Sequence, residues 1–148
     1  MSVEPQIPTS EVPQAEDLSE VREVVSAIRD VGVETEQLAE HTGFSIRHVC
    51  YRLHAAEVLG LLDADRAITG RGRVLLATSP GSENERQTFR QAVESCQVVK
   101  LVVPDLFESE TFELETVAGK LEALAGLSKS TAERRARVLA AWRRQLAA

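Results

Sequence analysis

The sequence predicts a mainly α-helical fold of two helix-turn-helix units in tandem, each backed by short β-hairpin wings. Three observations predict it. Residues 35–62 read as two helices joined by a tight turn. The phrase Gly43-Phe44-Ser45 returns as Gly126-Leu127-Ser128, an offset of 83 residues. Between the copies, a short apolar stretch, a polar turn and a second apolar stretch have hairpin spacing.

The elements follow in chain order. Residues 1–18 hold Pro5, Pro8 and Pro13 among polar and acidic residues, too few apolar groups to offset the entropy of ordering. They read as a disordered acidic tail, or as an acidic arm that competes with DNA for the protein's own basic face or docks a partner. Ser19 can cap a helix with the stripe Val21, Val24, Val25 and Ile28, ending near Gly32. In the helix-turn-helix, Leu38 and Ala39 line the first helix, Gly43 ends it, Phe44 plugs the angle and Ser45 caps the second. Along that second helix Ile46, Val49, Cys50, Leu53 and Ala56 share one face. That phase turns Arg47, His48, Tyr51 and Arg52 outward, a cationic and aromatic arc of the kind that enters a DNA major groove. A surface helix of any small helical domain would share the geometry.

After Gly60, residues 61–69 read as the two-stranded wing, with Arg66 at its tip and Arg71 just beyond as phosphate contacts, and Arg73 in the same run. Helix, helix, helix, hairpin is the winged-helix order. The Gly-Arg-Gly-Arg run at 70–73 lacks the length and the Lys-Ser/Thr end of a phosphate-binding loop, and Thr69 caps a further helix through Leu76. The Pro-Gly turn at 78–82 divides the chain into a first winged unit, 19–78, and a second winged-helix-like unit, 79–148. Ser82 and Glu85 form a capping box for a helix carrying Phe89, Ala92, Val93 and Cys96. Residues 98–103 suit a buried helix ended by Pro104, although their composition is also strand-like. Leu114, Val117, Leu121 and Leu124 mark the next helix, which stops at Gly126. In the last helix Ala132, Ala136, Leu139, Trp142 and Leu146 face inward, while Ser130, Arg134, Arg137 and Arg144 face outward. Arg135 lies nearer the apolar edge, where a long side chain can run along the surface.

Composition narrows the function. A chain of 148 residues, 43% apolar, suits one medium globular domain or two small ones. It contains neither a run of about 18 apolar residues nor a charged-then-apolar leader, so a cytoplasmic protein without a membrane partner is expected. Cys50 and Cys96, on apolar faces far apart in sequence, read as reduced, packed thiols. The net charge of −6 argues against nucleic acid until its distribution is seen. Residues 1–20 hold five acids and no base, leaving 17 basic and 18 acidic groups in 21–148. Residues 45–75 are locally +2 and residues 111–148 locally +3. His41, His48 and His54 with Cys50 do not complete a ligand set, since Cys50 points inward and His48 outward, so no metal or other cofactor is expected. No nucleophile elbow or nuclease carboxylate-lysine core occurs, and the chain reads as a non-enzyme.

Three phrases, ITGRGRVLLAT at 68–78, ENERQTFRQAVES at 83–95 and, most distinctive, GLSKSTAERRARVLAAWRRQL at 126–146, resemble the tandem winged-helix modules attached to some prokaryotic restriction and defence proteins. They look less closely like the winged-helix tails of certain ABC-transporter ATPases. The resemblance covers residues 20–148 and implies a tandem winged helix-turn-helix fold that binds DNA or a protein. The sequence departs from it in carrying no ATPase, nuclease or methyltransferase domain.

Two functions remain open. One is a homodimeric double-stranded-DNA-binding protein, a transcriptional regulator or the DNA-recognition component of a defence system, with Arg47, His48, Tyr51, Arg52, Arg66, Arg71, Ser130, Arg134 and Arg137 on DNA. The other is an adaptor whose winged helices bind a protein, such as a defence-system partner, without touching DNA.

Overall fold

A computed structural model of the chain describes residues 7–147, and these form eight α-helices. They are α1 (Leu18–Val31), α2 (Thr35–Thr42), α3 (Ile46–Val58), α4 (Gly70–Ala77), α5 (Glu83–Glu94), α6 (Gln97–Val102), α7 (Leu114–Ala125) and α8 (Lys129–Leu146). No helix is long and apolar enough among these residues to cross a membrane.

The 83-residue repeat is a repeat of local geometry. Gly43 closes α2 with φ 81° and Gly126 closes α7 with φ 68°, each in the left-handed region that glycine enters without a Cβ penalty. Two residues later Ser45 and Ser128 are extended, and their hydroxyls accept hydrogen bonds from the His48 and Thr131 backbone amides. A helix stop and a helix start are thereby packed into three residues, which produces the sharp α2–α3 and α7–α8 corners. Helix α1 packs across α2, α3 and α4, α7 lies against α8, and α5 reaches α8. One continuous buried cluster runs from Ile7 to Leu146, with Leu53, Leu75, Leu121, Leu139 and Trp142 among its fully enclosed side chains.

The β-hairpin wings are absent: among the described residues there is no strand, only one isolated bridge between Leu62 and Ile68. The cause is lack of chain. Thr69 caps α4 immediately after the bridge, accepting from the Gly72 amide while its own hydroxyl donates to the Gly60 carbonyl, so no residues remain for a second strand. The intervening loop is tightened instead by the Asp63 carboxylate, which accepts from the amides of Asp65 and Ala67 at 2.8 and 2.9 Å. Gly72 seals the joint. A Cβ there would press into the Leu61 carbonyl and come within 2.8 Å of the Ile68 side chain.

The N-terminal segment also departs from expectation. Met1–Gln6 lie outside the described residues, but residues 7–17, assigned above to a disordered tail, form an arm laid over the helices. Ile7 and Val12 are fully buried and Ala15 nearly so. Besides these apolar side chains, backbone hydrogen bonds hold the arm: the Ile7 amide donates to the Leu124 carbonyl at 2.9 Å. The carbonyls of Val12, Ala15 and Glu16 accept from Arg135, Trp142 and Gln145 of α8 at 3.1, 2.9 and 2.6 Å. On the other side His54 of α3 bonds the Ser10 carbonyl. The arm therefore spans the gap between α3 and α8. Composition gave no sign of this, because the polar anchors are main-chain carbonyls that every sequence possesses.

Candidate nucleic-acid interface

The two expected reading helices meet at one place. Arg47 and Tyr51 of α3 and Arg134, Arg135 and Arg137 of α8 line a single shallow cavity of about 240 Å³, with Gln14 and Glu16 of the arm closing one side. Four arginines thus line it from two helices 83 residues apart in the repeat, together with one acidic residue; of the four, Arg135 also donates to the Val12 carbonyl of the arm.

Each side chain has a distinct environment. Arg47 is exposed, donates through Nε to the Tyr51 hydroxyl at 2.7 Å and lies 5.4 Å from the centre of that ring. Tyr51 is half-buried, so it acts as a post that holds the Arg47 guanidinium outward. His48 is exposed, its ring 6.4 Å from that of Tyr51. On α8, Arg134 is exposed and leans on the Thr131 hydroxyl at 3.3 Å, Ser130 is exposed on the first turn, and Arg137 is exposed. Arg137 also lines a neighbouring cavity with Arg143 and Arg144, and Glu16 and Glu110 lie there too. Arg135, read from sequence as an edge residue, belongs to the site. Burial, and next the neighbouring Arg134, hold its pKa below the ordinary arginine value, while Tyr51 acts in the opposite direction.

Several predicted contacts are committed elsewhere. Arg52 is half-buried, donating to the Glu20 carboxylate at 3.1 Å through Nε and stacking 4.4 Å from the Phe44 ring centre. It fastens α3 to α1 rather than reaching outward. Arg66 adopts φ 64°, which turns its guanidinium back onto the Val33 carbonyl and Thr35 hydroxyl at 3.0 and 2.9 Å. With no wing and a folded-back side chain, it is removed from any phosphate. Arg71 is exposed but rests against the Leu59 carbonyl and the Ser95 hydroxyl, and it does not line the cavity.

The phase of α3 also differs. Val49, Leu53, Ala55 and Ala56 are buried, whereas Ile46 is 52% exposed and Cys50 is exposed as well. The packed thiol expected at Cys50 is therefore a surface thiol. Cys96 is enclosed, and burial first, then Glu11, push its pKa up to about 12 against the pull of Arg71. The histidines face separate neighbours: His41 lies 3.6 Å from Asp30, His48 beside Tyr51 and His54 on the arm.

Comparison with known proteins finds no matching family model, no similar curated protein and no similar solved structure. Function is accordingly read from the molecule's own geometry.

Proposed function

We propose that the chain is a cytoplasmic DNA-binding protein that meets double-stranded DNA through the joint surface of α3 and α8, acting as a transcriptional regulator or as the DNA-recognition component of a prokaryotic defence system. The observation that carries this reading is the convergence of Arg47, Arg134, Arg135 and Arg137 on one open cavity in a chain whose net charge is −6. Cations brought together against the overall charge create a local field suited to phosphate. Arg47 and His48 project from the first turn of α3, where a recognition helix meets base edges, and the α8 arginines sit where backbone phosphates would flank them.

The reading includes a homodimer, because one such surface covers only a short half-site. Light scattering should return twice the 16.2 kDa chain mass; a value of one chain mass removes that part.

The direct test is titration with random-sequence duplex DNA at two salt concentrations. Three or four phosphate contacts predict that log K falls with log salt at a slope of about −3. The double variant Arg134→Ala with Arg137→Ala should flatten the slope by about two. Absence of binding at low salt, with the fold intact by circular dichroism, excludes the reading. The second reading, a protein-binding adaptor, is favoured by one observation: Glu16 sits in the cavity and would oppose phosphate while tolerating a mixed-charge protein surface.

A further inference from the structure

Ile46, at the start of α3, is an apolar side chain that the core does not cover. Ile46 is 52% exposed although four other α3 side chains are buried, and Cys50, one turn further on, is exposed on the same side. The repeat isolates what is unusual here. At the offset of 83 residues, Ile46 corresponds to Lys129 and Cys50 to Glu133, both polar, while the capping Ser45 and Ser128 are matched in sequence and in backbone angles. One copy of the same corner thus places a branched apolar group in water at the point where the other places an ammonium group. Its immediate neighbour Arg47 is exposed and braced by Tyr51.

We propose that Ile46 is a specificity-determining residue that packs on the C5-methyl group of thymine in the major groove, while Lys129 at the equivalent place on α8 contacts backbone phosphate. The inference rests on the DNA-binding reading and divides the labour between the copies. Only the major-groove edge of thymine offers an apolar group among the base edges, and Arg47 beside it supplies the fork that suits guanine. The α3 corner then reads sequence, and the α8 corner anchors without reading.

The probe is a duplex pool enriched by the wild-type protein from random DNA and then resynthesised with either thymine or uracil, which differ by this methyl group. Wild type should bind the thymine pool about fourfold more tightly per methyl contacted, the effect of burying one such group. Ile46→Ala, a change at an exposed helical position, should bring the thymine-to-uracil ratio to about one. Lys129→Ala should weaken both pools equally and lower the salt slope by about one. Equal wild-type affinity for the two pools, or an unchanged ratio in Ile46→Ala, overturns the role of Ile46 while leaving DNA binding standing. If wild type enriches no duplex at low salt, the DNA-binding reading fails, and this inference with it.

Discussion

The indole Nε1–H of Trp142 donates to the carbonyl of Ala15 at 2.9 Å, joining the C-terminal part of α8 to an arm 127 residues earlier in the chain. Both residues are buried, so neither group can turn to water instead. Trp142→Phe retains most of the ring and strands the carbonyl, which should cost about 1–3 kcal/mol. Denaturant unfolding reads the total, and hydrogen exchange should show the Ile7 amide, bonded to Leu124, losing protection first. Unchanged protection would show that the arm is held without this bond.

Gly72→Ala should destabilise the α4 joint, because the added methyl meets the Leu61 carbonyl and the Ile68 side chain at once. A backbone oxygen cannot swing aside as a long side chain can. A loss of about 1–3 kcal/mol in chemical denaturation is expected.

Arg47 and Arg52 should separate binding from stability. Arg52 is tied to Glu20 and to the face of Phe44, with its side chain 14% exposed. Arg52→Ala should therefore lower stability by about 1 kcal/mol and change DNA affinity less than twofold. Arg47→Ala should leave the unfolding midpoint in place and cost about 1–3 kcal/mol of binding. The opposite pattern would show that Arg52 leaves Glu20 to reach DNA.

Cys96 makes stability fall at alkaline pH. Its folded-state pKa of about 12 lies above the ordinary 9.0, so the folded protein holds the thiol proton more tightly than the unfolded chain does. The contribution is complete below about pH 9 and is lost as pH rises towards 12. Unfolding followed from pH 8 to 11 should show a shallower decline in Cys96→Ala than in wild type. A thiol reagent should modify one cysteine, Cys50, in the native protein and both after denaturation, because only Cys50 is exposed.

The corners were the most legible part of the fold. A glycine needing positive φ, an apolar plug and a capping serine each have a local physical reason, and both copies adopt the expected angles. The α4 start at Thr69 and the Ser82 cap were legible for the same reason. The hairpin was not, since residues 61–69 suit strands locally and only the nearness of α4 denies them a partner. Helical phase gave Arg47, Arg134 and Arg137 as outward-facing cations, and they do meet at the cavity. It could not show that Glu20 claims Arg52 or that Arg66 folds back, because both outcomes depend on residues distant in sequence. The exposure of Ile46 escaped as well: a period of 3.6 defines a face, but not how far along the helix its neighbours extend.

The arm's manner of attachment leaves two of its side chains, Gln14 and Glu16, available for tuning. Its bonds at Ser10, Val12, Ala15 and Glu16 all use main-chain oxygen, and those at Ser10 and Glu16 persist whatever side chain is carried there. The side chains of Gln14 and Glu16 line the arginine cavity, and neither makes the bonds that hold the arm down. The charge opposite the arginines is thus separable from the architecture that positions them. Substituting Gln, Lys or a second Glu at those two positions offers a graded control on ligand affinity that the core does not feel.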